Sequence, residues 1–298
     1  MKSNKTFFND LDSGLYVVAT PIGNLGDLSL RAKFILESCD LLIAEDTRVA
    51  IKLFSSFNLN KPKLGILSMH KFNESKLVIE LKKFNLKNLI FALISDAGTP
   101  TICDPGSKLV NFCYEKGIKI FGVPGPCSFV TAFSVSGFEP LRNEPLVFWG
   151  FFPRKTNDQI SRLKQMMATG GYFSFFQTSS RLKKSLNVCK EYLGENCKIF
   201  IGREITKKFE TLWKGKLRDY LLYIDNINIE NKEKLCGEFV VIIRVIKTKQ
   251  MNSTDQNTLE WIEVMRPYLR DSELATILSK KFKITKNHIY SLLKKDKN

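Results

Sequence analysis

Leu93-Ile94-Ser95-Asp96-Ala97-Gly98-Thr99-Pro100-Thr101-Ile102-Cys103-Asp104-Pro105-Gly106 is the stretch on which the fold turns. The apolar run Leu89–Ile94 reads as a strand, and it ends in a carboxylate, a glycine turn and a proline stop. A second acid–turn unit, Asp104-Pro105-Gly106, precedes an amphipathic stretch that begins at Ser107. In open α/β sheets, ligand crevices lie outside the carboxyl ends of the strands. Glycine at such a place admits positive φ or a close approach of the backbone to a ligand. Loop chemistry alone accounts for one such segment. Its recurrence along the chain argues for a sheet built from repeated strand–loop–helix units.

The strand Leu15–Ala19 ends in Thr20-Pro21-Ile22-Gly23-Asn24, with a helix from about Ser29 marked by Ala32, Ile35 and Leu36. The strand Ile118–Val123 ends in Pro124-Gly125-Pro126-Cys127-Ser128 and leads into a helix of small residues. A fourth strand, Leu41–Ala44, ends in Glu45-Asp46-Thr47-Arg48. Short apolar strands alternating with helical stretches predict a mostly parallel sheet with helices on its faces. No GxGxxG follows the first strand and no GxxxxGK[ST] occurs, so neither a dinucleotide fold nor a P-loop enzyme is indicated.

The second half reads as another α/β arrangement with less parallel order. Its expected strands are Leu146–Gly150, Tyr172–Gln177, Cys197–Gly202, Thr211–Lys214 and Glu238–Ile246, the last of them pairing as a meander. Helices are expected at Asn157–Ala168 and Ser180–Leu193, and the polar stretch Lys247–Thr258 reads as a linker. Beyond it, Glu260–Pro267, the set Leu274, Ala275, Ile277, Leu278 and Phe282, and the set Ile289, Leu292 and Leu293 mark three short helices. Thr285 is the expected N-cap of the last. Two helices joined by a tight turn, with Lys286, Lys294 and Lys295 around the second, suggest a helix-turn-helix-like nucleic-acid contact. A helical cap or dimer contact is the competing reading, since lysines near a helix C-terminus also suit the macrodipole. The expected domains are therefore residues 1–125, 126–247 and 259–298.

Bulk properties narrow the partner. The 298-residue chain carries 46 Lys and Arg against 30 Asp and Glu, a formal net charge of +16. Such a surplus implies an acidic partner, nucleic acid first and a membrane surface second. A lysine-rich composition from an A+T-rich genome gives the same balance with no partner. Met1–Asp10 has no apolar core resembling a signal peptide. No run approaches the ~18 apolar residues of a membrane span. Seven cysteines with no CxxC pair and two histidines make a metal site unexpected and a reducing, cytoplasmic compartment the simplest.

The ordered set TPIGNLGD, AEDTR, SDAGTP with DPG, and VPGPCS resembles the tetrapyrrole-methylase-type methyltransferases. His70-Lys71-Phe72-Asn73-Glu74, Gly150-Phe151-Phe152-Pro153, Gly202–Lys207 and Gly237–Val241 continue the likeness. TPIGN with AEDTR is similar to the branch that methylates small-subunit ribosomal RNA rather than porphyrins and corrins. The resemblance implies two α/β domains with the cofactor cleft between them, and a small C-terminal helical unit. It implies S-adenosylmethionine as methyl donor and no metal. The acceptor it implies is a cytidine ribose 2′-oxygen in the decoding centre of 16S ribosomal RNA. It also implies a homodimer working on the small ribosomal subunit and no membrane. A tetrapyrrole methylase and a non-catalytic ribosome-assembly factor remain as alternatives.

By the same resemblance the cofactor loops carry Pro21, Gly23, Asp96, Gly98, Thr99, Pro100, Gly125 and Pro126. Pro21 and Pro100 also suit a role in shaping turns only. A ribose hydroxyl is a weak acid, so a base is expected, and Glu45, Asp46, Glu74 and Glu204 are the candidates. Asp46 with Arg48 also reads as a structural ion pair. Arg48, Arg181 and Arg203 are the phosphate-contact candidates, since guanidinium matches planar phosphate recognition. Gln177 stands where the family usually carries Glu, and Phe72 where it often carries His. Neither departure touches the cofactor loops.

Overall fold

A computed structural model describes residues 11–139, 144–227, 236–247 and 253–295, the side chains of 253–256 and 294–295 excepted. The chain forms two compact units, Met1–Ile246 and Lys247–Asn298.

The first unit holds two five-stranded sheets. β1 (Gly14–Val18), β2 (Leu41–Ala44), β3 (Ile66–Ser68), β4 (Ile90–Ile94) and β5 (Ile120–Val123) form the first, in the order β3-β2-β4-β1-β5. All of its pairings are parallel. Side chains alternate across it. Leu15, Leu41, Ile43, Phe91 and Leu93 pack on one face against Leu77 and Leu81 of α3 (Glu74–Leu81) and Leu109 and Phe112 of α4 (Ser107–Glu115). Tyr16, Val18, Leu42, Ala92 and Ile94 pack on the other against α1 (Leu30–Ser38) and α2 (Thr47–Ser56). Burial on both faces is why these strands read as unbroken apolar runs. β3 has no counterpart among the expected strands: it is three residues long and only half-buried.

α5 (Ser128–Val135) leads to the second sheet, built from β6 (Leu146–Phe151), β7 (Gly171–Thr178), β8 (Lys198–Arg203), β9 (Thr211–Lys216) and β10 (Glu238–Val245). Its order is β6-β7-β10-β8-β9, and only β6 and β7 pair in parallel. The expected terminal meander is thereby corrected. β8 and β9 do pair as neighbours, but β10 inserts between β7 and β8. One face packs on α6 (Thr156–Thr169), α7 (Ser179–Leu193) and α8 (Leu217–Asp225). On the other, Tyr172, Phe200, Val240 and Ile242 meet Ala132 of α5 and Ile22 from the loop after β1. This second core ties the two sheets into one unit.

The second unit is α9 (Ser253–Met265), α10 (Asp271–Phe282) and α11 (Lys286–Lys295) around Ile262, Leu274, Leu278, Ile289 and Leu292. α9 starts inside the stretch read as a linker, and Thr258 is fully buried there. The turn into α11 places Lys283 at φ 53, and Thr285 Oγ1 accepts the His288 N–H. That bond is the expected N-cap. The side chains of Lys294 and Lys295 lie outside the described residues, and Lys286 is exposed at the start of α11.

Candidate active site

The strand order puts the carboxyl ends of β1, β2 and β4 side by side, and backbone and side chains latch their loops together. Thr20 and Gly98 exchange two backbone hydrogen bonds, of 2.9 and 3.1 Å, joining the loops after β1 and β4. Gly98 sits at φ +83, and a Cβ there would stand 3.1 Å from Ile22 Cγ2. The Asp46 N–H donates to Asp96 Oδ1 at 3.0 Å, and the Asp96 N–H donates to Glu45 Oε2 at 3.4 Å. Thr99 Oγ1 donates to the Pro126 carbonyl at 3.0 Å, bringing in the loop after β5. Loops fixed on a rigid sheet are where binding groups are commonly presented.

Facing them is the second sheet. Between the two lies a cavity of about 430 Å³ lined by Glu45, Asp96, Gly98, Thr99 and Asp104 on one side. Phe176, Gln177, Glu204, Lys207 and Phe239 line the other. A second cavity of about 370 Å³ lies between Thr20, Pro21 and Gly23 of the first loop and Val49, Lys52 and Ser56 of α2. The two share Ile22, Asp96, Ala97, Lys207 and Glu238 as a common wall. Of the expected cofactor residues, Asp96, Gly98 and Thr99 line the larger chamber, and Pro21 and Gly23 the smaller. Pro100, Gly125 and Pro126 are among the lining residues of neither. Pro100 is buried beneath the loop, and Gly125 packs so near Ala19 that a Cβ would stand 2.9 Å from that residue's Cβ.

The acids divide by environment. Burial pushes the Glu45 carboxyl up, and the nearby charges of Asp104, Asp96 and Asp46 add to that. Asp96 and Asp104 are raised as well, chiefly by burial. Asp46 goes the other way. Arg48 Nη2 lies 2.6 Å from its Oδ2, and this pairing holds the carboxyl down at about 2. Its Oδ1 also accepts the Arg48 N–H as the N-cap of α2. So weak a base, already doubly engaged, fits the structural-pair reading of Asp46 and Arg48.

Burial disfavours the Glu204 charge, but the Glu238 N–H and the Lys207 ammonium outweigh it and hold the carboxyl low. Glu74 is removed from the candidates. It is buried, and its Oε1 accepts from the Gly106 and Lys108 N–H groups at the start of α4.

Arg203 lies deeper than a phosphate contact at the surface would. Its side chain is buried, with Nε donating to the Cys236 carbonyl and Nη1 to that of Phe209 at 3.0 Å. It braces the chain around β8, where backbone carbonyls engage its guanidinium. Arg181 is half-buried and donates from Nε to Thr178 Oγ1 beside the larger chamber. Gln177 is 2% exposed, donates to Ser185 Oγ at 2.7 Å and accepts the Thr178 N–H at 2.9 Å. An uncharged amide satisfies that buried position without a cation. Phe72 is 94% exposed and far from such constraint.

Lys207, Asp104 and the aromatic Phe176 escaped the sequence reading. Asp104 had its signal in the DPG turn. Lys207 stands in the Gly202–Lys207 motif, but a lysine in so basic a chain reads as surface charge. Among the described residues no group of three or more His, Cys, Asp or Glu is placed to hold a metal ion. No described helix is long and apolar enough to cross a membrane.

The family of tetrapyrrole (corrin/porphyrin) methylases matches residues 14–220. A protein of Vibrio cholerae named ribosomal RNA small subunit methyltransferase I is 32% identical, covering 97% of this chain and 97% of its own. One of Borrelia garinii with the same name is 37% identical over 229 residues, 77% of this chain and 97% of its own. Among solved structures, a diphthine synthase has a TM-score of 0.56 at 11% identity, covering 78% of this chain and 90% of that one. The methyltransferase CobJ has a TM-score of 0.54 at 14% identity, covering 81% and 98%. At these identities the solved structures speak to the fold alone.

Proposed function

The chain belongs to the tetrapyrrole (corrin/porphyrin) methylase family and, within it, groups with the ribosomal RNA small subunit methyltransferase I proteins, and from that premise we propose that it is an S-adenosylmethionine-dependent methyltransferase acting on small-subunit ribosomal RNA. The acceptor in this reading is the 2′-oxygen of a cytidine ribose in the decoding centre.

The observation that carries the reading is the larger chamber. Its volume falls in the range of about 300–1,000 Å³ usual for small-molecule sites. Phe151, Phe176 and Val240 supply an apolar wall suited to a purine face, and Glu45, Asp96 and Asp104 supply carboxylates suited to positive charge. Gly98 keeps the loop between them free of a side chain. These residues fit S-adenosylmethionine, whose sulfonium supplies an activated methyl group when bound. The protein's own contribution is to hold donor and acceptor groups in a fixed geometry, a large source of rate acceleration. The TPIGN and AEDTR motifs and the net charge of +16 support an RNA acceptor over a tetrapyrrole.

The test is a tritiated-methyl assay on small subunits lacking the modification, followed by digestion to nucleosides. Label in 2′-O-methylcytidine is the expected result. Label in a base-methylated nucleoside, or in a porphyrin offered as competitor, overturns the acceptor. Subunit binding with no transfer at all favours an assembly factor.

A further inference from the structure

Donor binding in the larger chamber leaves the smaller one, and Lys207 between them, without a role. Resting on the methyltransferase reading, we propose that the smaller chamber receives the acceptor nucleoside and that the Lys207 ammonium contacts the acceptor oxygen during transfer.

Transfer has to cross the wall common to both chambers. Its charged groups are Asp96, Lys207 and Glu238. Lys207 Nζ is held by Glu204 Oε1 at 3.0 Å and Glu238 Oε2 at 2.8 Å, with the side chain 31% exposed. An ammonium has three N–H donors, so two anchors fix its direction and leave one for an incoming oxygen. A cation fixed in advance where negative charge develops is an effective form of transition-state stabilisation.

Two further observations show that the chain is shaped to put Lys207 there. Its stem crosses Gly23 so closely that a Cβ on Gly23 would stand 2.3 Å from Lys207 Cγ. The loop that carries it holds Glu204 at φ 50 and Thr206 at φ 66, and Thr206 Oγ1 is buried with no hydrogen-bond partner. Left-handed backbone at a β-branched residue is a conformational outlier, and such outliers cluster at functional sites.

The step balances within the wall. The acceptor hydroxyl's proton passes to the Asp96 carboxylate, the wall acid not committed to Lys207. Its oxygen forms the bond to the methyl carbon, and the electron pair of the broken carbon–sulfur bond stays on sulfur. Burial raises the proton affinity of Asp96 in the direction this requires.

Lys207→Met keeps the stem over Gly23 and removes the ammonium. Calorimetric affinity for S-adenosylmethionine and filter binding of small subunits should each stay within about 3-fold, while kcat falls by roughly 10²–10³, the scale of losing one oxyanion-type donor. Lys207→Arg should regain part of that loss. Lys207→Ala should respond to added ethylammonium, a readout that a purely structural clamp does not share and that decides the matter if the Met variant melts early. Wild-type kcat in Lys207→Met, or no response of Lys207→Ala to the amine, overturns the assignment. Failure of the unaltered protein to label RNA overturns the methyltransferase reading beneath it and is told apart by that control.

Discussion

Glu45 and Asp46 are adjacent in sequence and opposite in electrostatics, because Asp46 caps α2 and pairs with Arg48 while Glu45 turns into the chamber. Glu45 faces the acid-lined chamber, so its carboxyl is raised on folding. A raised carboxyl contributes stability below its unfolded value and loses it as pH rises through the folded one. Glu45→Gln should therefore raise the melting temperature near neutral pH, with the gain vanishing below pH ~4. Asp46 is lowered to about 2 by Arg48. Its contribution is present above its unfolded value and fades as pH falls through the folded one. Asp46→Asn should lower the melting temperature near neutral pH, and the difference should close toward pH 2. Parallel melting curves check both, and shifts of the same sign would refute the assignment. At Gly98, φ is +83 and Ile22 is the neighbour a side chain would strike. Gly98→Val should abolish measurable S-adenosylmethionine binding by calorimetry in a protein that still folds. Unchanged affinity would remove this loop from the cofactor site. At this scale the sequence disclosed the first-sheet half of the cleft, because each acid and glycine sits at the end of a readable strand. The second-sheet half was hidden. Lys207 and Glu238 come from separate parts of the chain, and only the insertion of β10 beside β8 brings them together.

Elements with strong local signals were legible, and those fixed by distant partners were not. β1, β2 and β4 could be read because helices bury both faces of the sheet they form. β3 has three half-buried residues and no pattern to detect. The order of the second sheet rests on β10 pairing antiparallel to β7 and β8, a contact no local window contains. In the helical unit, α9 extends back to Ser253 because Thr258 and Ile262 turn inward despite the polar composition around them. The turn between α10 and α11 carries its own prediction. Lys283 occupies the left-handed position at the end of α10, and its N–H donates to the Ser279 carbonyl. Glycine takes that conformation without the steric cost a Cβ brings. Lys283→Gly should stabilise the helical unit by about 0.5–1 kcal/mol, the roughly 1–2 kcal/mol of left-handed strain relieved less the entropy glycine adds to the unfolded chain, read as a shift in its denaturant midpoint. Destabilisation would mean that the lysine side chain makes an interaction worth more than the backbone relief.

The proposed function predicts that, over the whole molecule, catalysis and RNA capture fall to different units. Both cavities lie within residues 1–246, and the helical unit has its own buried core around Leu274 and Leu278. The Borrelia garinii relative points the same way. The 229 residues matched to it span 97% of its length, so it is shorter than the first unit here. The exposed lysines of the helical unit, Lys281 and Lys283 among them, suit an RNA backbone by charge and shape. Neutralising phosphates releases counterions, so affinity falls with salt in proportion to the number of phosphates engaged. Ending the chain after Ile246 should leave S-adenosylmethionine affinity unchanged while subunit binding weakens and its log–log salt slope flattens. The slope should flatten by about 0.7–0.9 for every phosphate that the helical unit neutralises. Calorimetry and filter binding at several salt concentrations measure the two arms independently. Weaker cofactor binding in the shortened chain would make the helical unit part of the catalytic fold. An unchanged salt slope would leave the positive charge of the first unit to hold the RNA alone.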